Sequence, residues 1–367
     1  MSALFDITAL AGRYSVELSP DLYRQILNAR ENAFVICDER FSSDCEKAGI
    51  RYLPLKSIEL TKSLSAVPDV ISALRKMGVT RKTRLVAVGG GIVQDVAAFC
   101  AAIYMRGLEW LYVPTTLLGM VDSCIGGKSS INVNEYKNLV GTYNPPQRVI
   151  IDTQFIATLS DEQIAAGLIE AAKITFCRNS EAWQAYLAYQ PSPRLTPEGF
   201  AGIIAASLAA KKWFIERDEF DQNERLLLNF GHTFGHALEG SSAYRIAHGI
   251  AVGLGILCAL ALGRLQNIRY ESLPEVGQLQ AHIRDLLGFV TDLPEALQPV
   301  TSSALFDRFA SDKKHTPDRY RVVMVNSAGR TELTALPKTE DIQRQIILAF
   351  EEVLDEFRAR VPVGVAS

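Results

Sequence analysis

Leu85-Val-Ala-Val-Gly89-Gly-Gly91-Ile-Val-Gln-Asp95 decides the fold of this 367-residue chain. An apolar run ends in a glycine triplet, and helical spacing begins directly after it. This is the pattern of a buried strand, a tight turn and a helix whose first N–H groups are free to meet an anion. It lacks the GxGxxG fingerprint, and alone it fits a structural turn nearly as well as a phosphate cradle. Short β-rich runs recur around it at 33–37, 51–55, 84–88, 109–113 and 148–151, with helical patterns at 67–77 and 93–104. Strands alternating with helices predict a parallel, doubly wound sheet. Ligands bind such sheets beyond the carboxyl ends of the strands, where Pro114-Thr-Thr-Leu117 also falls.

From about residue 153 helical periodicity dominates, at 161–175, 198–216, 233–239, 250–265, 274–287 and 339–358, with one β-like run at 319–325. The expected organisation is therefore an α/β, Rossmann-like N-terminal domain over 1–152 and a mostly α-helical C-terminal domain over 153–367. With 48% apolar residues the chain can bury a sizeable core, and a net charge of −3 gives no reason to expect nucleic acid or an anionic membrane as partner. The opening MSALFDITAL has no basic n-region and no long apolar run, so no signal peptide is expected. The longest apolar stretch, 250–263, is glycine-rich and shorter than the roughly 20 residues that span a bilayer; it reads as a buried helix. Six cysteines (Cys37, Cys45, Cys100, Cys124, Cys177 and Cys258) form no CxxC pair, the usage of buried thiols in a reducing cytoplasm. Cys124 reads as a small core residue, not a nucleophile.

Three of the five histidines fall in Arg225-Leu-Leu-Leu-Asn229-Phe-Gly-His232-Thr-Phe-Gly-His236 and the following His248-Gly249. His232 and His236, four apart, share a helix face. Two or three imidazoles with one carboxylate and an open position describe a catalytic divalent-metal site, although an isolated pair is more often just satisfied at a helix end. A thermolysin-like site fails, because Thr233 stands where a catalytic glutamate is required.

Tyr104-Met-Arg106-Gly107, Val113-Pro-Thr-Thr-Leu-Leu, Val121-Asp122-Ser-Cys-Ile-Gly126-Gly-Lys128, Lys137-Asn138-Leu-Val-Gly141 and Glu170-Ala-Ala-Lys173 precede the histidines in one ordered run. From about residue 34 to 325 this run resembles the 3-dehydroquinate synthases, members of the sugar phosphate cyclases. The resemblance implies conversion of a phosphorylated keto-sugar acid, 3-deoxy-D-arabino-heptulosonate 7-phosphate, to 3-dehydroquinate and phosphate. The steps it implies are transient oxidation by a tightly held NAD, β-elimination of phosphate, re-reduction and aldol closure. It further implies a zinc or cobalt ion on Glu170, His232 and His248, and a cytoplasmic homodimer. NAD is assigned to Asp38, Glu59, Lys62, Gly90, Gly91, Asp95, Thr115 and Thr116, with Lys137 and Phe155 nearby. Lys211 and Arg225, fourteen residues apart, match the residues that hold the substrate carboxylate. Lys128, Asn138, Asn229 and His236 match its phosphate contacts, joined by Arg106 from across a dimer interface and by Lys313 or Lys314. Asp122 and Lys173 match contacts to ring hydroxyls.

The pattern is broken in places. Ile250 stands where the family has a glutamate two residues after the last metal ligand, Asp221 replaces a glutamate four residues before Arg225, and Gln94 replaces a glycine. The residues after Glu170 also depart from the usual ones. An outer carboxylate often orients a metal-bound histidine, so position 250 bears on metal affinity. The departures keep open a divergent cyclase of the amino-dehydroquinate, 2-epi-5-epi-valiolone or 2-deoxy-scyllo-inosose type. Less favoured are an NAD-dependent polyol dehydrogenase of the same fold and an inactive binding protein.

Overall fold

The structure, a computed structural model, describes residues 4–10, 12–28, 32–134 and 136–359. In chain order come β1 (Phe5–Ala9), β2 (Gly12–Leu18), α1 (Leu22–Asn28), β3 (Ala33–Asp38), α2 (Ser42–Ala48), β4 (Tyr52–Leu55), α3 (Val67–Lys76), β5 (Arg84–Gly89), α4 (Gly91–Ile103) and β6 (Trp110–Pro114). A small hairpin, β7 (Ile131–Val133) and β8 (Tyr136–Val140), precedes β9 (Arg148–Ile151). Next are α5 (Asp161–Arg178), α6 (Ser180–Leu187), α7 (Pro197–Arg217), α8 (His232–Ser241), α9 (His248–Leu265), α10 (Pro274–Leu287), α11 (Leu293–Leu297) and α12 (Ser302–Ala310). A second hairpin, β10 (Arg319–Val325) and β11 (Thr331–Pro337), and the last helix, α13 (Glu340–Arg358), complete the order.

The chain divides into two compact units, residues 1–159 with 196–220, and residues 160–195 with 221–367. This corrects a simple division after residue 152. α7 lies beyond that point in sequence yet belongs to the first unit, where it packs on β1 and on a turn of π-helix, Gly119–Ser123. Ser207 of α7 donates to Val121 O at 2.9 Å, a buried bond that fixes the helix there.

The first unit is built on a seven-stranded sheet in the order β1-β2-β9-β6-β5-β3-β4. All pairings are parallel except β1 with β2. The five expected strands are its parallel core; the β1–β2 hairpin extends one edge. β4 leaves β3 on one side and β5 returns on the other, so the order reverses between β3 and β5. Asp38 ends β3 and Gly89 ends β5, which puts both at the carboxyl-end crevice where open sheets take ligands.

The second unit is helical around α9, in which every residue from Gly249 to Gly263 is buried. α9 is long and apolar enough to cross a membrane by length and composition. Here α5, α8, α10, α13 and β10 cover it, as expected of a helix that is apolar on all sides. α5 starts in a capping box, Ser160 Oγ accepting from Gln163 N and the Gln163 side chain accepting from Ser160 N. Close approach of α5 to α9 depends on Gly249, whose added Cβ would stand 2.2 Å from Ala166 O. Gly249→Ala should therefore destabilise the unit by about 2 kcal/mol or more through overpacking. Thermal unfolding followed by circular dichroism checks this; an unchanged midpoint would mean that α5 and α9 can separate freely.

Candidate functional site

The second unit gathers Glu170, His232 and His248 from three helices. Glu170 lies mid-way along α5 with no exposure, and the histidines are the first residues of α8 and α9. Glu170 Oε1 is 3.4 Å from His248 Nε2 and 3.9 Å from His232 Nε2. Gly231 fixes the start of α8: its φ is +78°, and a Cβ there would meet Val252 O at 2.7 Å.

The residues fit a divalent cation. Both carboxylate oxygens of Glu170 are buried without a well-aligned hydrogen bond, although Lys173 forms an ion pair with Oε2. Burial without such partners is costly for an ionised carboxylate. Each histidine directs its Nδ1–H elsewhere, His232 to Phe230 O at 3.3 Å and His248 to Glu239 Oε2 at 3.2 Å. That network assigns the tautomer in which the Nε2 lone pairs face Glu170. Burial and the Lys173 charge hold His232 well below the usual imidazole range, which favours the neutral form that a metal ion would need. For His248, burial acts downward, but the Glu239 and Glu170 carboxylates outweigh it.

Glu239 was missed by the sequence reading. It stands three residues after His236 and seven after His232, on the same face of α8, which is the signal that could have found it. Its carboxylate takes the orienting role that Ile250, fully buried in α9, cannot perform. His236, Glu239 and His248 also form a cation-sized group. Glu239 there is already engaged by His248, whereas Glu170 lacks aligned donors, so the Glu170 group is the better centre.

Around it, Lys173 and Arg225 are buried, at 2% and 3% exposure, while His236 is exposed. Asn229 Nδ2 donates to Leu226 O at 3.0 Å. Asn229 lines a small cavity with Thr233, Lys314 and Arg321; Lys314 also pairs with Asp312 at 2.7 Å. Lys313, by contrast, is exposed. Asp221 adopts φ +61° next to this segment.

In the first unit, Gly91 opens α4 with nothing within 4 Å of an added Cβ, and the helix has no side-chain N-cap. Free N–H groups at an open glycine turn suit a phosphate. Gly90 borders Thr116, and Thr115 N donates to Gly89 O at 3.1 Å. Asp38 is held by Arg40 N at 3.1 Å and by Ser57 Oγ at 2.5 Å. Lys62 Nζ bridges Asp95 Oδ2 at 2.8 Å and Asn138 Oδ1 at 3.0 Å. Asn132, also missed, donates to Glu59 Oε2 at 2.9 Å, and Lys137 pairs with Glu59 at 3.3 Å. These residues are thus one connected network. Burial raises the Asp95 carboxyl against the Lys62 charge. The Phe155 ring is committed to a cluster with Tyr23 and Phe41, at 5.1 and 5.4 Å.

Lys211, 6% exposed, donates to Asp122 O at 2.6 Å and to its carboxylate. It is therefore a buried partner of Asp122 and not a solvated helix charge. Lys128 lies 5.9 Å from the Tyr143 ring centre. Arg106 is exposed and, like Met105, left-handed, at φ +67° and +50°. The six cysteines are all free and buried.

Glu239→Gln keeps the shape but weakens the acceptor for His248 Nδ1–H. Affinity for Zn2+ or Co2+ should fall about 10- to 100-fold, read by competition with a chelating dye. Wild-type affinity in this variant would remove Glu239 from the centre.

Residues 52–166 match the family model of the 3-dehydroquinate synthase N-terminal region, and residues 167–315 that of its C-terminal region. The 3-dehydroquinate synthase of Dictyoglomus turgidum is 36% identical over 310 residues, 83% of this chain and 82% of its own length. That of Xylella fastidiosa (strain M12) is 36% identical over 304 residues, 79% of this chain and 78% of its own. Among solved structures, 2-deoxy-scyllo-inosose synthase complexed with carbaglucose-6-phosphate, NAD+ and Co2+ aligns with a TM-score of 0.81 at 21% identity, over 95% of this chain and 99% of that one. The 2-epi-5-epi-valiolone synthase of Streptomyces hygroscopicus, with NAD+ and Zn2+ bound, aligns with a TM-score of 0.76 at 22% identity, over 97% and 99%. These structures share the fold; the two family models, contiguous over 52–315, and the 36% identity show that the chain belongs to the 3-dehydroquinate synthase family.

Proposed function

We propose that this chain is a 3-dehydroquinate synthase, converting 3-deoxy-D-arabino-heptulosonate 7-phosphate to 3-dehydroquinate and phosphate. The observation that carries the reading is the buried Glu170 carboxylate with two oriented imidazoles, in a chain that matches the family over 52–315. Bound NAD and a divalent metal supply reversible hydride transfer and Lewis-acid polarisation.

The chain's own residues bind, orient and shield. Glu170, His232 and His248 hold the metal, with Glu239 and Phe230 O fixing the two rings. The α4 turn at Gly90 and Gly91 takes the dinucleotide phosphates, and Asp38 takes a ribose hydroxyl. Glu59, Lys62, Asp95, Asn138 and Lys137 stiffen the walls of that site through their mutual bonds. Arg225 gives the substrate carboxylate a planar, permanently charged fork. Asn229, His236 and Lys314 serve the phosphate, and the family resemblance assigns Lys128 to it as well. Lys314 is preferred over Lys313 because it shares a cavity lining with Asn229. Asp122, turned by Lys211, and Lys173, held by Glu170, meet ring hydroxyls. The substrate's own phosphate serves as base for its elimination, so no dedicated strong base is required from the chain.

The reading extends to a cytoplasmic homodimer. Six free buried thiols support a reducing compartment, and the exposed Arg106, on two left-handed residues, supports a built contact.

Phosphate release from the heptulosonate phosphate with NAD and Zn2+ or Co2+, without net NADH, is the test. Sedoheptulose 7-phosphate, which has no carboxylate, should release none. Release from the second substrate only, or net NADH from a polyol, would overturn the reading. Arg225→Ala should lower kcat/KM for the acidic substrate by about 100-fold or more, since a buried charge pair is lost. Full activity in this variant would refute the carboxylate assignment.

A further inference from the structure

Gln94 departs from the glycine of the pattern that the chain resembles, and its side chain is not idle. It is 4% exposed on the first turn of α4. Its Nε2 donates to Ser123 O at 2.6 Å, and its Oε1 accepts from Ser123 Oγ at 2.6 Å. Both ends of one carboxamide thus close on one residue. A glycine at 94 would leave Ser123 O without this donor and Ser123 Oγ without this acceptor.

Ser123 is the last residue of the π-helical turn Gly119–Ser123, and Asp122 precedes it. A π turn holds an extra residue per turn and persists only where its surroundings fix it. Several neighbours hold this one. Lys211 holds Asp122 through both its carbonyl and its carboxylate. Ser207 holds Val121 O at 2.9 Å. Gly119 leaves little room on its own side, with Tyr112 Oη 3.3 Å and Pro114 Cβ 3.2 Å from an added Cβ. Gln94 holds its last residue, Ser123, whose side chain also meets Tyr112. The next residue along α4, Asp95, is itself anchored by Lys62 and by Ser130 N at 2.9 Å. α4 is therefore a fixed reference against which the turn is set.

We propose that Gln94 is a positioning residue: by clamping Ser123 to α4 it sets the direction of the Asp122 carboxylate, and with it the alignment of the substrate hydroxyl that Asp122 meets. The inference rests on the functional reading of Asp122 given above.

Gln94→Ala and Ser123→Ala are compared with wild type in phosphate release, in NAD affinity by quenching of tryptophan fluorescence, and in thermal midpoint. Gln94→Ala should lower kcat about 30- to 100-fold, as small misplacements of an orienting group do. NAD affinity should stay within about twofold, because the α4 backbone turn is untouched. Ser123→Ala keeps Gln94 and its bond to Ser123 O while removing the hydroxyl, which also meets the Tyr112 side chain; a smaller loss, about 3- to 10-fold, is expected, with recovery in Ser123→Thr. If Gln94→Ala does not fold, the Ser123 pair decides by the same measures. Wild-type kcat in Gln94→Ala, or in Ser123→Ala where that pair decides, overturns the inference. So does a loss that saturating NAD restores, which would make Gln94 a support of the cofactor turn alone. A wild-type chain that releases no phosphate overturns the functional reading and this inference with it; an active wild type with an unaffected variant overturns only the inference.

Discussion

A carboxylate wholly removed from water must meet positive charge or hydrogen-bond donors, or give up its own charge. Glu170 is such a group, and the second unit is arranged around it. Lys173, one turn along α5, answers one oxygen. The other faces two imidazole nitrogens whose N–H groups are turned away toward Phe230 O and Glu239. A buried carboxylate and two imidazoles with their ligand atoms this close together form a group that suits a cation. The glycines that let α5, α8 and α9 come so close serve this arrangement, because imidazoles at the starts of α8 and α9 reach Glu170 only if those helices nearly touch.

The first unit meets a different constraint. Its parallel strands end together, so their loops must hold polar groups at the rim of an apolar sheet. The solution is a closed set of side-chain bonds running from Glu59 through Asn132, Asn138 and Lys62 to Asp95. Asp122 and Lys211 form a second set, tied to α4 by Gln94. Residues expected to have separate roles are thereby made to hold one another, which fixes their geometry before any ligand arrives.

Two departures from the family pattern find physical answers in space. Position 250 has lost its carboxylate, and the side chain now fills the core of α9; Glu239, on the neighbouring helix, meets His248 instead. Position 94 has gained an amide, and a turn that would otherwise rely on its backbone acquires a two-point clamp. Nothing in the structure explains the exchange to Asp221.

The amino-acid sequence by itself determined the parallel core of the sheet, the principal helices and the glycine turn at the end of β5, and its short motifs pointed to Glu170, His232 and His248, which the structure brings together. Period-2 and period-3.6 patterns and ordered short motifs are local, and they survive in one dimension. Sequence did not reveal the β1–β2 hairpin, whose short strands carry little apolar run, nor that α7 belongs with the first unit. It did not reveal that Glu239 serves His248, that Lys211 answers Asp122, or which of Lys313 and Lys314 approaches Asn229. Those facts depend on which helix faces which and on distances between side chains far apart in the chain. Only tertiary packing decides them, because hydrogen bonds and ion pairs act over a few ångströms whatever the separation in sequence.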